Sequence, residues 1–213
     1  MVRLWAVTSA VAMLALIGGL YAWSVMAGRQ AAACGGGGTA IAGGSAIGGP
    51  FTLVDETGAE VSSDQVIDGP TLVYFGYTFC PDVCPLDAAR NAQAVDLLAE
   101  RGIDVDPVFI TIDPARDTPQ VLAEFTGYMH PEMLGLTGTE AQVAAAARAY
   151  RVYYSRSEGA DPDYYLMNHS VFTYLMTPGG FVDVFRGAPG ASAEGVTAEQ
   201  MADRVACDLD RPV

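Results

Sequence analysis

TLVYFGYTFCPDVCPLDAARNAQAVDLLAER, residues 71–101, decides how this chain folds. Residues 71–77 (TLVYFGY) are mostly β-branched and aromatic and read as a buried strand. Residues 85–101, rich in Ala, Leu and charge and closed by Gly102, read as a helix. Between them stand Cys80 and Cys84, each followed by a proline, where a strand delivers the chain into a helix N-terminus. If the span from Cys80 to Cys84 is helical, the i, i+4 spacing brings both sulfurs onto one face, with Cβ atoms about 5–6 Å apart. The unpaired N–H groups of a helix start favour thiolate over thiol. Two soft thiolates at that separation suit a soft monovalent ion, above all Cu(I), and also a reversible disulfide. Two cysteines packed only as small hydrophobes would account for neither the flanking prolines nor the strand-to-helix position. The three-residue gap differs from the C-x-x-C redox motif. It moves the second sulfur one position along the helix and favours holding a metal over rapid disulfide cycling. A location at a loop and helix end also predicts an exposed, labile site.

Outward from this stretch, the pattern predicts a hairpin of residues 51–54 and 59–61 around Asp55-Glu56-Thr57-Gly58. A helical turn at 62–66 precedes the strand already described, and a further strand spans 105–112. A helix over 119–129 has Thr118 as N-cap and Pro119 at its first position. A short strand at 134–136, a helix at 139–150 and a strand at 152–154 follow. A second hairpin joins 170–176 to 181–185 through Thr177-Pro178-Gly179-Gly180, and a helix at 197–207 closes the chain. This order is that of an α/β sheet with helices on both faces. With the cysteines at the end of the first core strand, it is the thioredoxin-like layout.

His169 lies directly before the second hairpin, on the loop that such a fold brings beside the cysteine-bearing helix. Its position favours a third ligand over a solvent-facing loop histidine. Two thiolates and one imidazole accept Cu(II) as well as Cu(I). His130, just past a helix end, reads as a solvated loop residue. Asp82 and Asp87 flank the cysteines and either tune the thiolates or serve the helix dipole. The run DPARDTP at 113–119 is either a capped, ion-paired loop or a part of the site, since it leaves the same sheet edge. Cys34 and Cys207 stand apart from the site, and a bridge between them is compatible with the sequence.

Residues 4–27 carry no charge and are almost wholly apolar, long enough to span a bilayer as a helix. Trp5, Tyr21 and Trp23 lie towards its ends, where amphipathic rings settle. The segment reads as an uncleaved anchor, with residues 1–3 cytoplasmic. The alternative, a lipid-modified Cys34, fits less well because Gly28-Arg29-Gln30 separates it from the apolar core. Nine of the 22 residues from 28 to 49 are Gly, which predicts a flexible tether reaching about 25 Å before a folded domain at 50–213. All 25 acidic residues lie beyond Pro50, and the whole chain carries −14. Such a surface repels nucleic acid and anionic lipid, so neither is expected as a partner. A single-pass protein of the bacterial inner membrane with its domain in the periplasm is the expected setting, where paired thiols need a reductant or a metal.

Taken together, Gly49-Pro50-Phe51-Thr52-Leu53, YFGYTFCPDVCP at 74–85, FITIDPARDTP at 109–119, GLTGT at 135–139, ARAYRVYYS at 147–155 and DYYLMNHS at 163–170 resemble the SCO/SenC family, membrane-tethered copper chaperones for cytochrome c oxidase assembly. The resemblance covers residues 47–206. It implies a thioredoxin-like fold with copper held by Cys80, Cys84 and His169. It also implies delivery to the CuA centre of cytochrome c oxidase subunit II or a related copper oxidase, with copper taken from a donor protein. Some bacterial members are linked to thiol reduction, so the alternative is a thiol–disulfide oxidoreductase that reduces the oxidase's copper-site cysteines, one of Cys80 and Cys84 attacking and the other resolving. A peroxidase fits poorly, because Tyr77 stands where peroxiredoxin-type sites place Thr or Ser. The chain departs from the family at Asn168, where an acidic residue is frequent.

Overall fold

The computed structural model describes Met13, Leu16, Gly18–Leu20 and residues 47–157 and 164–210. Most of the expected anchor and nearly all of the tether lie outside the described residues. No helix among the described residues is long and apolar enough to cross a membrane. The chain divides into two units, residues 1–36 and 37–213, and the second carries the fold.

Its elements are β1 (Thr52–Asp55), β2 (Glu60–Ser62), α1 (Ser63–Val66), β3 (Thr71–Gly76), α2 (Val83–Ala99), β4 (Asp106–Thr111), α3 (Pro119–Met129) and β5 (Leu134–Thr137). There follow α4 (Glu140–Ala149), β6 (Tyr154–Arg156), β7 (Met167–His169), β8 (Phe172–Thr177), β9 (Gly180–Arg186) and α5 (Ala198–Leu209). Seven strands form one sheet in the order β2-β1-β5-β4-β3-β8-β9. The β3–β4 and β4–β5 pairs are parallel and the outer pairs antiparallel. All six residues of β3 are buried, as expected of a parallel strand covered on both faces. Leu72 packs with Ala94 and Leu98 of α2 and Met201 and Val205 of α5. Phe75, an odd number of residues away and so on the opposite face, packs against Tyr150 and Tyr174.

Local chemistry sets the helix starts. Thr118 accepts the Val121 N–H at the start of α3, and Thr139 with Gln142 and Thr197 with Gln200 form capping boxes on α4 and α5. The fold begins before Pro50. Ile47 is buried, and Gly48, at φ +84°, donates its N–H to the Ala149 carbonyl at 2.9 Å.

Three readings change. Helix α2 starts at Val83 rather than 85, which places Pro85 in its first turn, where a missing N–H costs nothing. Residues 167–169 form a strand that the sequence pattern does not announce, paired antiparallel with β6 so that His169 stands opposite Tyr154. His130 is buried rather than solvated, because the end of α3 folds against α2: its Nδ1 accepts the Glu132 N–H, and its Nε2 lies 3.3 Å from Asp96 Oδ1.

Candidate metal centre

Strand β3 ends at Gly76, and a Cβ there would stand 2.7 Å from the Tyr74 ring and 3.0 Å from the Phe109 ring. The missing side chain lets both rings close beneath the turn that follows. In that turn Cys80 N–H donates to the Tyr77 carbonyl at 3.3 Å. Thr78 donates to Asp117 through its N–H (3.1 Å) and its hydroxyl (2.6 Å), and the Thr111 hydroxyl adds a third bond at 2.5 Å. The DPARDTP loop therefore moors the cysteine turn.

Cys80 is not helical. Its sulfur accepts the Cys84 N–H at 3.3 Å, taking the part of an N-cap side chain, while Asp82 at the cap position makes no side-chain cap bond. The two sulfurs thus meet through cap geometry and not through i, i+4 helical spacing. Their protonation diverges. The hydrogen bond from Cys84 is the largest influence on Cys80; with the Asp82 and Cys84 N–H groups it overcomes desolvation and pulls that thiol down to about 4. Burial, and then the neighbouring Cys80 sulfur, push Cys84 far above the ordinary thiol range. Cys80 is 8% exposed and Cys84 fully buried, so the expected exposed site is in fact largely enclosed. The turn and α2 pack the sulfurs inward against β3.

His169 reaches the pair from β7. Its Nε2 lies 3.3 Å from Cys84 Sγ, and its Nδ1–H donates to the Ser170 carbonyl at 2.9 Å. That bond fixes the tautomer and leaves Nε2 with a lone pair for a ligand. The rings of Tyr77 and Tyr74 stand edge-on to the imidazole, at 5.9 and 6.4 Å between centroids. Tyr77 Oη also accepts the Met167 N–H at 3.2 Å, and burial pushes this phenol up to about 12. The donor atoms of Cys80, Cys84 and His169 all lie within 4.8 Å of one another. Two sulfurs and one imidazole nitrogen form a soft set able to bind copper.

The remaining candidates lie outside the donor set. Asp82 is exposed. Asp87 is fully buried on α2, accepts the Ala188 N–H at 2.5 Å and lies 3.6 Å from Arg90, so it ties α2 to the segment after β9. Asp113 pairs with Arg116. Cys207 is disulfide-bonded, whereas Cys80 and Cys84 are free; Cys34 lies outside the described residues. Sequence reasoning missed Tyr74 and Tyr77. For Tyr77 the signal was present, since a phenol at the end of an apolar run calls for a polar neighbour for its hydroxyl, whereas the buried Tyr74 hydroxyl has no hydrogen-bond partner among the described residues.

Comparison with known proteins gives a concordant result. A family model described as SCO1/SenC matches residues 39–205. SenC of Rhodobacter capsulatus is 57% identical over 165 residues, covering 77% of this chain and 71% of that protein. The mitochondrial SCO1 homolog 1 of Arabidopsis thaliana is 46% identical over 138 residues, 64% of this chain but only 41% of that protein. The crystal structure of yeast Sco1 with copper bound matches with a TM-score of 0.71 and 37% identity, covering 79% of this chain and 91% of that one.

Proposed function

The chain belongs to the SCO1/SenC family, and from that premise we propose that it is a copper chaperone. Cys80, Cys84 and His169 hold one copper ion and release it by ligand exchange to acceptor thiolates, those of the CuA centre on cytochrome c oxidase subunit II or of a related copper oxidase. The observation that carries this reading is the convergence of three soft donors within 4.8 Å. Cys80 meets the ion already as a thiolate, Cys84 gives up its proton on binding, and the Nε2 lone pair completes the set. Cu(I) needs only the two sulfurs, whereas Cu(II) gains from the nitrogen. The uncharged apolar run at 4–27 supports an inner-membrane anchor with the domain in the periplasm, where a donor protein supplies the ion.

Copper titration of the purified full-length protein tests the proposal. One equivalent is expected, with His169→Ala weakening Cu(II) binding far more than Cu(I) binding. Equal loss for both ions refutes the ligand role of the imidazole. The acidic, nearly buried Cys80 beside a protonated Cys84 also favours a second reading, thiol–disulfide exchange with the acceptor's cysteines. If Cys84→Ser keeps copper but loses exchange, that reading takes precedence.

A further inference from the structure

Among the described residues, the β6–β7 ribbon that carries His169 is a separate two-stranded sheet with no ladder to the seven-stranded one. The sulfurs are set by β3 and α2, so the distance from imidazole to sulfur depends on what fastens the ribbon to the cysteine turn. Tyr77 Oη, which accepts the Met167 N–H at 3.2 Å, is one fastening, and an arginine supplies a broader one. Arg116, in the loop after β4, donates from Nε to Asp113 Oδ2 at 2.5 Å and from Nη1 to the Tyr165 carbonyl at 3.0 Å. Its guanidinium lies over the rings of Tyr165, Phe79 and Tyr77, at 3.6, 4.6 and 5.8 Å from their centroids. Phe79 directly precedes Cys80, Tyr165 leads into β7, and the Tyr77 ring faces His169. Tyr165 is held in turn by its hydroxyl, which donates to Asp113 Oδ1 at 2.7 Å.

We infer that Arg116 is a positioning residue of the metal centre: it clamps the ribbon to the cysteine turn and so sets where the His169 imidazole stands relative to the two sulfurs. The inference rests on the copper reading for its functional consequence. Arg116 touches no donor atom, and the cysteine turn is also held by Asp117, so its loss is expected to fall chiefly on the ribbon and thus on His169. A planar group that stacks on several rings while donating in two directions is within reach of arginine and not of lysine.

The test compares Arg116→Ala, Arg116→Lys, His169→Ala and the Arg116→Ala/His169→Ala double variant in the full-length protein, using Cu(II) and Cu(I) as probes. Arg116→Ala is expected to weaken Cu(II) about 10–100-fold, the usual effect of losing a group behind a ligand, and to leave Cu(I) within about threefold. Its Cu(II) electron paramagnetic resonance spectrum should move towards that of His169→Ala. Adding Arg116→Ala to His169→Ala should cost nothing more, and Arg116→Lys should recover little. Additive losses in the double variant, or equal losses for both ions, overturn the inference. An arm without metal separates it from the copper reading. Arg116→Ala should speed amide exchange at Met167 and His169 while β3 and α2 keep their protection, and unchanged exchange at 167–169 overturns the clamp. If wild-type protein takes up no copper, the chaperone proposal fails and the exchange arm still decides on Arg116. Should the alanine variant not fold, Arg116→Gln carries the same comparisons.

Discussion

Cys80 and Cys84 share a motif and a flanking proline, yet their surroundings drive their protons in opposite directions. The Cys80 sulfur receives hydrogen bonds from the Cys84 thiol and from backbone N–H groups at the helix start, so its proton leaves at about 4 instead of the ordinary 9.0. Cys84, fully buried beneath it, retains its proton. The metal-free pair is therefore one thiolate and one thiol at neutral pH. Because the folded-state value of Cys80 is depressed, the stability it contributes is complete above the unfolded thiol value and is lost as pH falls through about 4. Alkylation reads the same quantity. Iodoacetamide should label Cys80 at a rate that stays nearly flat from about pH 9 to about pH 5 and drops below that, and Cys80→Ser should abolish the acidic labelling. A rate that instead rises with a midpoint near the ordinary thiol value would show that the cap geometry does not stabilise the thiolate. The residue types and their order exposed this chemistry, but its asymmetry depends on which sulfur is buried, and spacing carries no such information.

At the scale of elements, the loop between β4 and α3 serves the site without entering it. Asp117 gathers three donors, two from the cysteine turn and one from β4. Asp117→Asn swaps one acceptor oxygen for a donor and leaves a buried group unpaired, at a cost of about 1–3 kcal/mol. Burial raises the Asp117 carboxyl, so its stabilising contribution is fullest below the unfolded carboxylate range and is lost as pH rises through the raised value. The stability gap between wild type and Asp117→Asn should accordingly be wider at about pH 4 than at about pH 7 in denaturant titrations. A gap that grows with pH would mean that the three hydrogen bonds outweigh desolvation. The start of α3 was legible because Thr118 and Pro119 act within one turn of themselves. Strand β7 was not: Met167-Asn168-His169 has no alternation, and it pairs with β6 across a long excursion of the chain, His169 standing against Tyr154 15 residues upstream.

At the scale of the whole molecule, a domain carrying all 25 acidic residues follows an uncharged apolar run and a Gly-rich stretch. Ile47 and Gly48 already belong to the fold, so the spacer we propose ends by residue 46. Deleting residues 35–46, which keeps Cys34, should leave copper binding by the purified protein intact and lower oxidase assembly in cells. Undiminished assembly would mean that delivery requires no reach. The order of elements in the seven-stranded sheet, the thioredoxin-like layout and the three residues whose donor atoms converge were legible in the sequence alone, because capping, turn chemistry and strand burial act between residues close along the chain. Only the tertiary structure decided that Cys80 caps the helix, that Cys84 is enclosed and that β7 holds the imidazole at 3.3 Å from sulfur. The Cys80 cap spans only four residues but sits in a turn that Asp117 holds from 39 residues away, and the enclosure of Cys84 and the place of the imidazole come from contacts as far as 85 residues apart, where desolvation and ring packing set the geometry and no local pattern encodes it.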